Sequence, residues 1–201
     1  MEKAEKYWSV KAAAQTGAAP RAIAFSGAIN TDRLRLRRLG ESDAHTITRL
    51  VSDWEVSKQT ISIANPYTLN EAHKFIRNGE VDWQDGTQYV LGIERRTDNC
   101  LIGTISIQIY RKWGRRYGEI GYWAGREYWG KGYTGEAIEP FLVFCRATLG
   151  LKTIDAKAFV ENEASLRLLK RAGFREVARK TEHLEHRGGK RKVVHLRHKS
   201  K

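Results

Sequence analysis

The sequence has no apolar run approaching the roughly 20 residues that a membrane-spanning helix requires, so no membrane partner is expected. Its start has no continuous apolar block either. Glu2, Lys3, Glu5, Lys6 and Lys11 interrupt the first turns, so no secretory leader is expected there. Cysteine is scarce: Cys100 and Cys145 are the only two in 201 residues. Their spacing gives neither a metal-ligand pattern nor a disulfide framework, and a reducing, cytoplasmic compartment is expected. His183, His186, His195 and His198 lack ligand spacing, so no metal is expected. Internal repeats are absent. Acidic residues are under-represented, 23 against 36 basic ones, for a net charge of +13. Such a surface attracts polyanions: coenzyme phosphates, ribosomal RNA or DNA. The excess is partly local, since Arg187–Lys201 holds seven basic residues and no acidic one. Charge alone names no function, because a basic tail is also compatible with simple solvation.

The length suits one well-buried domain. Residues 1–30 are rich in Ala and Gly without a sustained period, and read as a disordered or loosely packed extension. The domain is expected over residues 31–201. Arg33-Leu-Arg-Leu-Arg alternates as a half-buried strand. Ser42 is placed to cap a helix reaching about Asp53, with Ala44, Ile47, Leu50 and Val51 on its buried face. Thr68 and Glu71 have capping-box spacing and start a second helix. Strands follow over Gln88–Arg95, Leu101–Tyr110 and Tyr117–Ala124, joined too closely for crossovers and therefore antiparallel. A helix over Tyr133–Leu149, a strand over Lys152–Val160 and a helix over Asn162–Ala172 come next. A strand from Phe174 and a last one over Lys192–Arg197, turned by Gly188-Gly189, close the chain. The fold class is α+β: a mixed, mostly antiparallel central sheet, helices on both faces, and one parallel βαβ crossover from Tyr117 to Val160.

The most informative stretch is Trp129-Gly130-Lys131-Gly132-Tyr133-Thr134-Gly135-Glu136-Ala137, between a strand and a helix N-terminus. Free backbone N–H groups and the helix dipole favour an anion there, and glycines let phosphates approach the backbone. A nucleotide-triphosphatase loop would need Ser or Thr after Lys131 to hold magnesium; the residue is Gly132. A dinucleotide fold finds its GxGxxG in Gly130, Gly132 and Gly135, and an acid in Asp155. That acid falls in mid-strand, however, and only one βαβ unit is present. The pyrophosphate of coenzyme A is the remaining reading.

For that reading the rest of the chain decides. Glu119-Ile120-Gly121-Tyr122-Trp123, Tyr128 to Tyr133 and Glu136-Ala137 together resemble the central motif of the GNAT N-acetyltransferases. Asn162-Glu163-Ala164-Ser165 with Gly173-Phe174 resembles the next motif of that superfamily, Asn-x-x-Ser followed by Gly-Phe. The likeness runs from Thr31 to about Lys199 and is greatest to the branch of ribosomal-protein alanine N-acetyltransferases. It implies a sheet that splays between its two parallel strands and takes acetyl-CoA into the opening. It implies a coenzyme site of Tyr122, Trp123, Trp129, Gly130, Lys131, Gly132, Tyr133, Thr134, Gly135 and Asn162. Where most members carry Gln or Arg before the second glycine, this chain has Trp129 and Gly130, so the loop relies on backbone donors and Lys131. Many relatives carry a tyrosine as general acid where this chain has Leu169.

Acetyl transfer to an amine needs a neutral amine, a polarised thioester carbonyl and a proton for the leaving sulfur. Glu119 is the candidate base, because a carboxylate within a central strand requires a partner or a task; the alternative is a structural ion pair. Backbone N–H groups near Tyr122 and Trp123 are placed to polarise the carbonyl. Ser165 is the candidate group beside the sulfur, by resemblance, or else a first-turn residue closing a cap with Asn162. The acceptor is expected to be a protein N-terminus, on a ribosomal protein by resemblance, or a small-molecule amine such as an antibiotic or amino acid. A non-catalytic module docking on RNA or a ribosome through the basic surface is the alternative of another class. Trp54, Trp83, Trp113 and Trp123 are candidates for the acceptor pocket. Arg111, Lys112, Arg115 and Arg116 around Trp113 make a basic-aromatic loop beside the site, suited to a phosphate backbone or an acidic acceptor, or simply solvated.

Overall fold

A computed structural model describes residues 25, 27–63, 65–112, 115–184 and 189–199. The strands are β1 (Ile29–Asn30), β2 (Leu34–Arg37), β3 (Gln88–Arg95), β4 (Cys100–Lys112), β5 (Arg115–Ala124), β6 (Thr153–Phe159), β7 (Arg175–Leu184) and β8 (Gly189–Lys199). Among the described residues they form one sheet in the order β1-β2-β3-β4-β5-β6-β8-β7. The helices are α1 (Ala44–Val51), α2 (Trp54–Ser57), α3 (Leu69–Asp85), α4 (Tyr133–Ala147) and α5 (Glu163–Arg171). The sheet starts at Ile29, two residues ahead of the expected boundary at Thr31, and Phe25 packs on Trp83 and Phe144. The rest of the expected extension, residues 1–24 and 26, lies outside the described residues, as do Trp113 and Gly188.

Period-two alternation sorts the two cores. Leu91 and Ile93 of β3 with Ile105 and Ile107 of β4 face α4, whose Ile138, Phe141 and Leu142 are buried against them. Ile47 and Val51 of α1 and Ala72 and Ile76 of α3 form a second cluster with Leu101 on the opposite face. Helices therefore cover both faces, and the mixed α+β architecture matches the expectation from sequence.

The single helix expected from Ser42 to Asp53 is two helices preceded by a 3-10 turn over Glu41–Asp43. Asp53 separates α1 from α2: its backbone is extended, and its carboxylate accepts the Glu55 N–H at 2.8 Å, capping α2. Ser42 lies inside the turn and caps nothing. Asp43, its neighbour, accepts the Gly40 N–H at 2.8 Å and takes both terminal nitrogens of Arg37 at 2.8 Å. Arg37 also donates to Glu94 of β3. This triad ties the start of α1 to the sheet. By contrast, the Thr68/Glu71 capping box opens α3 as its spacing predicts.

β5 and β6 form the parallel pair, in register only at Gly118↔Ile154, Glu119↔Asp155 and Ile120↔Ala156. Beyond Ile120 the two strands part, leaving Gly121–Ala124 without a strand neighbour on that side among the described residues. β4 follows β5 throughout, from Lys112↔Arg115 to Gly103↔Ala124.

Candidate active site

A cleft of about 570 Å³ occupies the parting of β5 and β6 and is lined by residues from both faces of the sheet. On the α4 side it is lined by Trp129, Gly130 and Gly132 of the loop and by Tyr133, Thr134 and Gly135 of the first helical turn. Asn162 and Ser165 of the α5 start close that side. Glu119, Tyr122 and Trp123 come from β5. Lys131 is the one sequence-derived site residue outside the lining; its ammonium lies 6.0 Å from the centre of the Tyr128 ring.

The loop has the conformation an anion seat requires. Gly130 and Gly132 have φ of 73° and 80°, left-handed values that side chains disfavour. Gly132 occupies the N-cap of α4 and offers no side-chain acceptor, so the N–H groups of the first turn are free to point at a ligand. The turn is held from behind. Glu136 Oε2 accepts from Arg33 Nε at 2.6 Å, and its Oε1 accepts from Thr31 Oγ1 at 2.5 Å. Burial works to raise the Glu136 pKa, but these bonds outweigh it and keep the carboxyl below its ordinary range. The Trp129 indole N–H donates to the Ala124 carbonyl at 2.7 Å, fastening the loop to the end of β5. Trp129 thus shapes the seat rather than filling it. Gly132→Ala forces a methyl into a left-handed N-cap, 3.4 Å from the Arg33 guanidinium. At about 1–2 kcal/mol of strain, the expected result is a five- to thirtyfold weaker coenzyme Kd by calorimetry.

Strand geometry selects the backbone donor at the parting. Gly125 N–H donates to the Ile102 carbonyl at 2.9 Å. Alternation then directs Trp123 and Gly121 toward β4 and Tyr122 toward the open side. Of the two N–H groups expected from sequence, that of Tyr122 faces the cleft and that of Trp123 belongs to the β4 ladder. The Tyr122 hydroxyl lies 2.8 Å from Ser165 Oγ. Burial pushes this phenol up to about 12, against a smaller lowering by the Ser165 bond, so it stays protonated at neutral pH. Asn162 Oδ1 accepts the Ser165 N–H at 3.0 Å, so the capping role anticipated for the pair is present. Leu169 is a core residue, 1% exposed. The phenol near Ser165 therefore comes from β5, across 43 residues of sequence.

On the other face, Glu119 lies half-buried, with Oε2 3.2 Å from Lys157 Nζ. Ile47 and Val51 of α1, Val56 of α2, residues 59–63, Tyr67 and Phe75 form the remaining wall there, with Thr104, Ser106 and Trp123 from the sheet. Lys157 was foreshadowed by alternation in β6, where Thr153, Asp155 and Lys157 share the face of Glu119. The segment 59–63 carries no comparable signal. Trp54 is exposed outside the cleft, Trp83 is core, and Trp113 lies outside the described residues.

The cleft thus carries an uncapped helix start on one side and a carboxylate on the other, an arrangement that suits a two-substrate transferase. The acetyltransferase (GNAT) domain family matches residues 33–175, and the chain belongs to that family. It is 35% identical over 148 residues to the N-acetyltransferase YoaA of Bacillus subtilis (strain 168), spanning 74% of this chain and 82% of the relative. It is 32% identical over 148 residues to the N-acetyltransferase p20 of Bacillus licheniformis, spanning 73% and 81%. Among solved structures it superposes on RimL, a ribosomal L7/L12 alpha-N-protein acetyltransferase in complex with coenzyme A. The TM-score is 0.74 at 20% identity over 86% of this chain and 97% of that one. The ribosomal-protein-S5-alanine acetyltransferase of Vibrio fischeri gives 0.76 at 18% identity, over 86% and 96%. GNAT acetyltransferases use acetyl-CoA, and the glycine seat with its uncapped helix start fits the pyrophosphate of that cosubstrate.

Proposed function

We propose that the chain acetylates the N-terminal α-amine of a protein, with a ribosomal protein as acceptor. The observation that carries this reading is the character of the acceptor half of the cleft. Its walls are mostly apolar, and among its described lining residues Glu119 is the sole carboxylate, already paired with Lys157. A polycation such as an aminoglycoside or polyamine would need several carboxylates there. A single ammonium next to a small uncharged side chain needs one. Two structural neighbours are named for ribosomal-protein acceptors, which supports the same assignment.

Acetyl-CoA supplies the acetyl group as an activated thioester. Within the chain, Glu119 removes a proton from the incoming ammonium, whose pKa near 8 is within reach of a carboxylate aided by solvent. The Tyr122 N–H faces the parting and donates to the carbonyl oxygen as charge develops there. The Ser165 hydroxyl, backed by the Tyr122 phenol, delivers a proton to the departing sulfur. Tyr122→Phe keeps the ring and the backbone and removes only the phenol. It is expected to lower kcat about tenfold, with KM for the acceptor and the coenzyme-induced rise in Tm unchanged; equal kcat would show that the phenol plays no part in the proton delivery.

An acceptor panel tests the assignment. Thiol release from acetyl-CoA is followed with N-terminal peptides beginning in Ala or Ser, with spermidine and with an aminoglycoside. Turnover with the peptides alone is expected. Turnover with the polycations alone overturns the reading.

A further inference from the structure

Glu119 and Lys157 meet across the parting of the sheet, and the chemistry above uses only the first of them. Lys157 stands one residue beyond the last rung that joins β6 to β5, Ile120↔Ala156. Alternation from Asp155, the register partner of Glu119, puts it on the same face. Its ammonium reaches over the opening to within 3.2 Å of Glu119 Oε2, and both residues line the cleft. The neighbouring carboxylates of this face are already taken. Asp155 receives Nε and Nη2 of Arg197 at 2.6 and 2.7 Å. Farther out, Glu182 Oε1 lies 2.7 Å from Nε2 of His195, an ion-pair distance without hydrogen-bond alignment. His195 is the residue of β8 directly opposite Lys157. Among the described residues, Glu119 is therefore the carboxylate paired with Lys157. With Oε2 beside that cation, Oε1 is the oxygen that remains for an incoming amine.

A carboxylate on its own is a poor place to free an ammonium of its proton. It forms an ion pair with the ammonium and so favours the charged form, whereas only the neutral amine attacks a thioester. A cation on the second oxygen offsets this. An α-amine at Oε1 would stand within the ~4–6 Å of the Lys157 ammonium over which a like charge disfavours protonation. The Glu119–Lys157 pair has no net charge, so it accepts a hydrogen bond from the amine without holding the extra proton on it.

We infer that Lys157 is a positioning residue for the acceptor: it holds Glu119 with Oε1 toward the amine and lowers the pKa of the amine bound there, so that the acceptor reacts as the free base near neutral pH. The proton passes from the amine nitrogen to Oε1 and then to solvent. The inference rests on the α-amine reading above and adds the device that keeps that amine neutral. The other charged or titratable groups around the amine are Asp155 with Arg197, Glu182 with His195, Tyr110 and Tyr117 of the β4–β5 hairpin, and Tyr67 of the acceptor wall. Arg167 and Arg171 of α5 line the coenzyme side. Burial, and after it the charges of Glu119 and Tyr117, pushes the Tyr110 phenol up to about 12; burial raises Tyr67 as well, so neither loses its proton in the working range.

The test uses the full chain, a lysine-free peptide acceptor, and the variants Lys157→Met, Lys157→Gln and Lys157→Arg. The pH dependence of kcat reports the enzyme–acceptor complex. Removing a cation raises the pKa of any group beside it, so the rising limb of kcat should move up by about 0.5–1 pH in the Met and Gln variants. Their kcat is then about three- to tenfold lower at pH 7 and within about twofold of wild type above about pH 9, while Lys157→Arg restores the limb. At pH 6 the peptide is an ammonium, and calorimetry on the coenzyme A complex should show its Kd about threefold tighter in both uncharged variants, because no cation competes for Glu119. His195→Asn removes the neighbouring imidazole and should leave the limb in place. A limb that does not move, a loss of kcat equal at every pH, or a shift matched by His195→Asn overturns the inference and leaves the α-amine reading standing. No acetylation of the peptide by the wild type overturns both.

Discussion

Glu119→Gln is expected to lower kcat/KM by about 10²- to 10⁴-fold at pH 7, the range over which a positioned general base contributes. Glutamine keeps the shape of the side chain and can still accept from Lys157, which lies 3.2 Å from the native carboxylate. It cannot take a proton or hold an ammonium by charge. Above pH 8 an α-amine arrives increasingly neutral, so the deficit should shrink as pH rises. The rise in Tm on adding acetyl-CoA should survive, because the glycine seat at the start of α4 contains no atom of Glu119. A structural ion pair is the alternative role for Glu119. A half-exposed pair of that kind contributes at most about 1 kcal/mol, so a variant that loses under threefold in rate and a little in Tm would return Glu119 to that role.

Arg37→Ala is expected to cost about 3–5 kcal/mol of stability, since it leaves buried Asp43 without a cation and Glu94 with only Arg35, at 3.5 Å. Asp43 and Glu94 are 6% and 5% exposed, and Arg37 serves both. For a chain of this length the loss corresponds to roughly 6–20 °C in Tm, readable by thermal or denaturant unfolding. The cluster also has a pH signature. Burial raises the Asp43 pKa, but the Arg37 and Gly40 hydrogen bonds overcome it, and the folded value lies below the ordinary aspartate range. A depressed folded pKa gives stability that is present above the unfolded value and is lost as pH falls through the folded one. The gap between wild type and variant should therefore be full at neutral pH and close progressively below about pH 4. Because the triad anchors α1, whose Ile47 and Val51 wall the acceptor side, KM for the acceptor should rise before KM for acetyl-CoA does. A Tm change under 3 °C would show the cluster to be replaceable by solvent.

Both variants concern features unequally visible in the sequence. Strand alternation, the Thr68/Glu71 box and the two glycine-bearing motifs are local signals, and the sheet, α3 and the coenzyme loop follow them closely. The Asn162 cap is equally local and forms as its spacing implies. What escaped was decided by distant partners. Asp43 joins Arg37 and Glu94, whereas its position suggested only the interior of a helix begun by Ser42. Asp53 could end one helix or begin another, and the capping bond to Glu55 settles the choice. Tyr122 was expected to contribute its backbone alone, yet its phenol meets Ser165 from another element. The wall formed by residues 59–63 carries no periodicity, because its place depends on how α1 and α3 pack rather than on its own composition.

The central claim, acetyl transfer to an α-amine at the parting of β5 and β6, is tested most directly by tandem mass spectrometry. The substrate is a peptide bearing both a free N-terminus and an internal lysine, incubated with the protein and acetyl-CoA. The account predicts a single acetyl group on the N-terminal nitrogen, absent or strongly reduced with Glu119→Gln. Acetylation of the lysine side chain instead, or no acetylation of either nitrogen, would contradict it.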